Sequence, residues 1–174
     1  SIDKSGISSI QPQIDKINAI TDTKSLLSEI ENEIKSGYNP LFSIYIGPDD
    51  KLVTNNITNL YQGGLGLPDR DYYLKNDPRE TDIRAKYLVH IANMLKLSGE
   101  TEADATAHAK TIMYMETAMA KASMDRVTMR DPYKTYNKFD IKTLNVKTPN
   151  IDWKSVLENV GIKNQDTVLV AQPD

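Results

Sequence analysis

Apolar residues recur at gaps of three and four along much of the chain, the pattern of amphipathic helices. The first such run is polar apart from its isoleucines, and Gly6 and Pro12 limit where its helix can begin: Ile7, Ile10, Ile14, Ile17 and Ile20. Asp22 is then placed to cap a second helix, which we expect to end near Gly37. Its apolar face is formed by Leu27, Ile30 and Ile34.

Two longer helices follow. Asp77 can cap the first, with Pro78 at the first helical position, Glu80 three residues after the cap, and Ser98-Gly99 at the end. Its predicted face comprises Ile83, Tyr87, Ile91 and Met94, widened by Leu88 and Leu95. Thr101 and Asp104 cap the second, whose predicted face comprises Ala105, His108, Ile112, Met115, Met119 and Ala122. A two-residue connection predicts an antiparallel pair.

Between these helical regions the apolar period changes to two. The alternation predicts strands over 41–47 and 53–62, joined by a turn at Gly47-Pro48-Asp49-Asp50 into a β-hairpin with a loop longer than the tightest type. An isolated hairpin is marginal in water, so we expect its apolar face to pack on helices.

The pattern weakens after Met124, where mixed charge indicates an irregular crossing. A short helix near 140–146, a stronger one from Trp153 to Val160, and a strand or buried extended segment at Thr167–Val170 follow. The predicted fold class is mainly α, a helical domain with a small β-hairpin at about 41–62. We expect residues 1–174 to form a single segment of that domain.

Composition narrows the functional classes. The 174 residues are 39% hydrophobic and 26% charged with a net charge of −3, which gives no electrostatic case for nucleic-acid binding. No apolar run approaches the roughly 20 residues that cross a bilayer, so we expect no membrane-spanning segment in this chain. The absence of cysteine excludes disulfides and thiolate metal sites.

Groups that carry catalytic chemistry are few. Neither His90 nor His108 begins a His-Glu-x-x-His motif, and we expect core or edge histidines rather than metal ligands. Glu100 and Asp104 have a spacing found in some zinc sites, but they straddle a helix cap, where acidic residues are favourable without a metal. The methionines fill an irregular core or, alternatively, form a peptide-binding surface: Met113, Met115, Met119, Met124 and Met129. We therefore predict no catalytic and no metal-binding residue in this chain.

Neither the helical nor the strand periodicity explains the segment Leu65–Tyr73. Its glycine, proline, charges and paired tyrosines indicate a specified turn, with Leu67, Pro68, Asp69, Arg70, Asp71, Tyr72 and Tyr73 at its centre. In the structural interpretation, which we favour, carboxylates or backbone carbonyls hold Arg70 and fix the turn. In the functional interpretation, Arg70 anchors a substrate carboxylate. The same two alternatives apply to Arg126, Arg130 and Asp131.

This segment resembles one in the non-catalytic N-terminal half of the neprilysin and endothelin-converting-enzyme family of zinc metallopeptidases. Further matching motifs occur in the expected order along nearly the whole chain: Asn39-Pro40, Pro48-Asp49-Asp50-Lys51, Gln62-Gly63-Gly64, Glu116–Ser123, Arg130-Asp131-Pro132, Tyr136-Asn137, Asp152-Trp153 and Gln172-Pro173-Asp174. Animal members carry many disulfides, so the resemblance of a cysteine-free chain implies a bacterial member.

The resemblance implies part of a helical domain that encloses a catalytic chamber and restricts substrates to peptides. It implies zinc as the cofactor of the full-length parent, with the ligands and catalytic base in the rest of the same polypeptide, the chain's partner. It also implies a periplasmic or extracellular location, with an anchor in missing N-terminal sequence as one option. The alternative is a stand-alone helical binding module without catalytic activity. A downstream His-Glu-x-x-His in the same reading frame distinguishes the two.

Overall fold

The computed structural model describes residues 6–173. These residues form eight α-helices, two short 3₁₀ turns at Gly6–Ser9 and Thr128–Arg130, and one four-stranded sheet, which confirms the mainly α fold class. In chain order the elements are α1 (Gln11–Asn18), α2 (Thr23–Lys35), β1 (Phe42–Asp49), β2 (Leu52–Gln62), α3 (Asp71–Leu74), α4 (Pro78–Leu97), α5 (Glu102–Ala122), α6 (Pro132–Thr135), β3 (Lys138–Asp140), α7 (Ile141–Lys147), α8 (Trp153–Asn159) and β4 (Thr167–Val170).

The chain divides into two compact units, and each is made of two separate stretches. The first unit contains the described residues up to Ala19 together with Leu65–Asp125. The second contains Ile20–Gly64 together with Arg126–Asp174, described here to Pro173. The hairpin and the turn segment Leu65–Tyr73 therefore belong to different units, although they are almost adjacent in sequence.

In the first unit, α4 and α5 pack against each other through small and apolar side chains. Ile91 on α4 and Ala105, Ala109 and Ala120 on α5 are buried. The predicted caps are present: the Asp77 carboxylate accepts hydrogen bonds from the backbone of Arg79 and Glu80, and Thr101 accepts one from Asp104. The connection, residues 98–101, is longer than the two residues predicted.

The predicted apolar face of α5 is only partly right: Ala105 is buried as expected, but the buried stripe is shifted at other positions. Ala109, absent from that face, is buried, whereas His108 is exposed and Met115 is 57% exposed. Alanines allow the neighbouring helix to approach closely, so the packed stripe follows the small residues rather than the large ones. The prediction failed at these positions because it placed large side chains, rather than alanines, on the packed face. Met115 also contradicts the expectation that the methionines fill a core.

The second unit is built on the sheet, whose strand order is β1-β2-β4-β3. β1 and β2 form the predicted antiparallel hairpin, but Asp49 pairs with Leu52 across a two-residue turn, so the predicted longer loop is wrong. β4 pairs with β2 in parallel, with Thr58 opposite Val168, and β3 pairs antiparallel with β4. The irregular crossing predicted after Met124 thus contains a strand that the sequence did not indicate.

Short helices cover the core face of this sheet. Leu60 and Val168 of the sheet form one buried cluster with Ile141, Leu144, Trp153, Val156 and Leu157 of α7 and α8. This contact provides the helical support that the hairpin was expected to need. The buried Glu31 of α2 joins the unit by accepting a hydrogen bond from Asn159 Nδ2 at 2.8 Å.

Candidate functional site

The turn segment Leu65–Tyr73 is fixed by local and long-range hydrogen bonds within the first unit. Asp69 Oδ1 accepts a hydrogen bond from the Asp71 backbone N–H at 2.8 Å, which starts the short helix α3. Arg84 of α4 closes the other end of α3, because its Nη1 donates to the carbonyls of Tyr72 at 2.9 Å and Lys75 at 2.6 Å. The guanidinium thus satisfies carbonyls that the end of a helix leaves without partners.

Arg70 makes a second such contact. Its Nη1 donates to the backbone carbonyl of Ser123, the residue that follows α5, at 2.5 Å. Ser123 is itself buried, and its hydroxyl donates to the Met119 carbonyl at 2.8 Å. A charged donor on a buried carbonyl is among the stronger hydrogen bonds in proteins. This geometry supports the structural interpretation of Arg70.

Glu116 of α5 is the centre of a cluster with two tyrosines. Its Oε2 accepts a hydrogen bond from the hydroxyl of Tyr73 at 2.6 Å, and its Oε1 accepts one from the hydroxyl of Tyr87 at 3.0 Å. The Tyr73 oxygen in turn accepts from the backbone N–H of Leu67 at 2.8 Å. One carboxylate therefore connects the turn segment, α4 and α5.

The electrostatics of this cluster favour the neutral form of both tyrosines. Burial raises the pKa of Tyr73 above its ordinary value, and the hydrogen bond to Glu116 raises it further. Burial, followed by the negative charge of Glu116, raises the pKa of Tyr87 to about 12. Both hydroxyls therefore remain donors at neutral pH. Such groups hold a turn in place but do not act as bases.

Gly66 leaves room for this cluster. A Cβ atom on Gly66 would lie 1.9 Å from the hydroxyl oxygen of Tyr87 and 3.1 Å from Glu116 Oε1. The glycine is required here by the close approach of a side chain. A tyrosine hydroxyl thus packs directly on the backbone of the turn.

The site residues that the sequence predicted in the second unit lie at or before α6. Asp131 caps this helix, since its Oδ1 accepts from the Tyr133 backbone N–H at 2.9 Å. Arg130 ends the preceding 3₁₀ turn and is exposed, and Arg126 is also exposed. The site residues predicted from sequence are thus divided between the two units, with Leu67–Tyr73 in the first and Arg126, Arg130 and Asp131 in the second.

Asp49 at the hairpin turn is a buried acid with three partners. Its carboxylate accepts from Lys138 Nζ at 2.9 Å, the Tyr136 hydroxyl at 2.8 Å and the Lys51 backbone N–H at 3.0 Å. The hydrogen bond from Lys138, with those from Lys51 and Tyr136, lowers the pKa of Asp49 to about 2. This residue joins the hairpin to the segment that leads into β3.

The histidines and acids of the described residues do not fit a zinc site. Among residues 6–173, no group of three or more histidine, aspartate or glutamate side chains is placed to hold a metal ion. The Nδ1 atom of His108 lies 2.9 Å from Glu100 Oε2 at the surface, and the ring of His90 stacks on Tyr87. Of the expected core or edge positions, a core position is wrong for both histidines, because His108 is 59% exposed and His90 is exposed as well.

Sequence comparison decides the family. The sequence model of peptidase family M13 matches residues 1–174. The chain belongs to peptidase family M13. The resemblance to the neprilysin and endothelin-converting-enzyme family is thereby confirmed, with the chain in its N-terminal region.

The similarity to individual M13 peptidases covers most of the chain but little of each relative. Endothelin-converting enzyme 1 of Cavia porcellus is 33% identical over 122 residues, 70% of this chain and 16% of that protein. The endothelin-converting enzyme homologue of Locusta migratoria is 29% identical over 154 residues, 85% of this chain and 21% of that protein. The chain therefore spans about a fifth or less of the length of these relatives.

Comparison with solved structures agrees with this family assignment. The crystal structure of the Mycobacterium tuberculosis zinc metalloprotease Zmp1 in complex with an inhibitor matches 99% of this chain with a TM-score of 0.90 and 27% identity. That match occupies 26% of the Zmp1 chain. Within the described residues of the present M13 chain, no helix is both long and apolar enough to span a bilayer.

Three residues that organise the M13 turn segment were not assigned this role from sequence. The sequence indicates Glu116 only as part of a family motif and Tyr87 only as a residue on a helix face, and it gives no signal for Arg84. The usable signal was Glu116 itself, a carboxylate among the alanines of a predicted helix, because a partly buried carboxylate requires hydrogen-bond donors. The donors are Tyr73 of the turn segment and Tyr87 of the neighbouring helix α4, and only the fold shows this.

Proposed function

We propose that this chain is part of a zinc metalloendopeptidase of the neprilysin type. It forms part of the helical domain that encloses the catalytic chamber and thereby restricts substrates to peptides. The observation that carries the proposal is the match to Zmp1, a zinc metalloprotease, at a TM-score of 0.90 over 99% of the chain. The match of the family over residues 1–174 supports it independently.

The proposal assigns the zinc ligands and the catalytic base to another part of the polypeptide. Neither histidine of this chain is followed by glutamate, so no His-Glu-x-x-His motif is present in its sequence. Family membership implies zinc in the full enzyme. Zinc there would activate a water molecule for attack on the peptide bond.

Within this proposal, residues 1–174 form a single segment of the enclosing domain, and the predicted site residues have structural roles. Arg70 holds the end of α5 through the Ser123 carbonyl, Tyr73 ties the turn to Glu116, and Asp131 caps α6. Each of these contacts fixes backbone or side-chain geometry. We further propose a bacterial parent acting in the periplasm or outside the cell, with peptides as substrates.

The full reading frame of the parent gene provides the first test. The proposal expects a downstream His-Glu-x-x-His, and a stop codon shortly after Asp174 would instead favour a stand-alone binding module. The purified parent should cleave unstructured peptides and lose activity with a zinc chelator. It should leave a folded protein of about 20 kDa intact even when that protein contains the cleaved sequence in an exposed loop. Cleavage of the folded protein would contradict the enclosing role.

A further inference from the structure

The second unit contains an apolar groove to which none of the roles above applies. Its cavity volume is about 360 Å³, within the range of small-ligand sites. The rings of Trp153 and Phe42 lie on one part of its wall, with centroids 5.1 Å apart. The remaining apolar wall is formed by Leu60, Phe139, Leu144 and Val170.

Gln172 contributes a polar group to the lining of this groove. Its Oε1 atom accepts a hydrogen bond from the backbone N–H of Gln62 at 2.8 Å. Because a backbone N–H can only donate, this contact fixes which side of the amide is oxygen. The Gln172 Nε2 atom is buried, and it has no hydrogen-bond partner among residues 6–173. A buried donor without an acceptor is costly, so an incoming acceptor would be favoured at this point.

The charge of the lining also favours an acceptor. Lys147 lines the groove with its Nζ atom 5.7 Å from the centroid of the Phe139 ring, and no acidic side chain is found among the described residues of the wall. The indole N–H of Trp153 is already used, since it donates to Thr148 Oγ1 at 2.7 Å. The other donors of the lining are also used, since Tyr61 and Gln62 donate to Met129 Sδ and the Thr148 hydroxyl donates to the Leu144 carbonyl. The amide donor of Gln172 and the ammonium of Lys147 therefore remain for a ligand within the described lining, and both suit a carboxylate.

We propose that this groove binds the carboxyl-terminal residue of a peptide that ends in an aromatic or branched apolar side chain. The side chain packs against Trp153 and Phe42, and the terminal carboxylate accepts from Gln172 Nε2 and pairs with Lys147. The inference concerns binding only and does not depend on the proposed peptidase activity. Absence of hydrolysis would therefore leave it intact, and absence of binding would leave the proposed function intact.

Trp153 makes the test direct, because it is the chain's single tryptophan and lies in the groove wall. The 174-residue chain is titrated with acetyl-Gly-Gly-Phe as the free acid while tryptophan fluorescence is recorded. We expect a saturable change, and binding at least about tenfold weaker for the carboxamide of the same peptide and for acetyl-Gly-Gly-Gly acid. Equal binding of acid and carboxamide would overturn the proposal in favour of a peptide-interior site, and no saturable change would overturn it outright.

Matched variants locate the contacts. Gln172→Glu keeps the shape of the side chain but removes the donor, and Lys147→Ala removes the cation from an exposed position; each should weaken acid binding at least about tenfold. Lys154→Ala removes an exposed lysine of α8 that does not line the groove, and it should leave the affinity unchanged. Circular dichroism checks the fold of each variant. Unchanged affinity in Lys147→Ala would contradict the proposal even if Gln172→Glu failed to fold.

The longer parent provides a final check with Gly-Gly-Phe acid that carries a nitroxide spin label in place of the acetyl group, and binding is followed by broadening of the label's electron paramagnetic resonance lines. Binding that is abolished by Lys147→Ala supports the groove as a peptide site in the intact protein. Binding to the 174-residue chain but not to the parent would mean that other parts of the polypeptide cover the groove, and the proposal would be wrong.

Discussion

At the residue scale, the turn segment depends on close contacts around one carboxylate. Glu116 accepts from Tyr73 and Tyr87, and the Tyr87 hydroxyl fills the space that a side chain at position 66 would need. Steric fit and hydrogen bonding therefore constrain the same few atoms. A single added methyl group tests both.

Gly66→Ala should lower the free energy of unfolding by about 1–3 kcal/mol, the usual cost of overpacking. The change is measured by urea unfolding. Gly47→Ala is the matched control, because a Cβ there meets its nearest atoms at 3.4–3.7 Å, ordinary contact distances. The loss should be smaller in a Tyr87→Phe background, which removes the clashing oxygen. Equal stability of Gly66→Ala and wild type would show that the turn does not approach Tyr87 this closely.

The lowered pKa of Asp49 predicts that the stability of the folded chain depends on pH. Its pKa in the folded protein is lowered to about 2 from an ordinary 3.8, so the folded state holds the charged form more strongly than the unfolded state does. The stabilisation is therefore complete above about pH 4 and is lost as the pH falls towards 2. Other acids also titrate in this range, so the measured quantity is the difference between wild type and Asp49→Asn in thermal unfolding. That difference should shrink from pH 5 to pH 2, and a constant difference would contradict the assignment.

At the element scale, Arg70 joins the turn segment to the C-terminal end of α5. Arg70→Ala leaves the Ser123 carbonyl without its guanidinium donor, and we expect a loss of about 1–3 kcal/mol in the free energy of unfolding. Arg79→Ala, an exposed arginine at the start of α4, should change it by less than about 0.5 kcal/mol. If Arg70→Ala were as stable as wild type, the structural role proposed for Arg70 would be wrong, and a role in a cleft would be favoured.

Individual elements also show what the sequence could predict. Helix starts were predicted well because a cap is local chemistry: Asp22, Asp77 and Thr101 each bind the backbone a few residues ahead. The buried face of α5 was predicted only in part, because the neighbouring helix determines which face is buried. β3 was missed for a related reason, since its three residues become a strand only by pairing with β4.

At the scale of the whole molecule, the fold class and family were accessible from the sequence, whereas the arrangement was not. The parallel pairing of Thr58 with Val168 joins residues more than a hundred positions apart, and no local pattern encodes that register. The division into two discontinuous units is likewise a property of long-range contacts. At the candidate site, the turn segment was recognised as a unit, but its partners Glu116 and Arg84 were supplied by distant parts of the chain.

We propose that this chain has a structural role around an active centre carried elsewhere in an M13 peptidase. Elemental analysis of zinc in the purified 174-residue chain, beside the purified parent, tests it most directly. We expect about one zinc per molecule in the parent and far less than one in the chain, with no peptide hydrolysis by the chain alone. About one tightly bound zinc per 174-residue chain would contradict the claim.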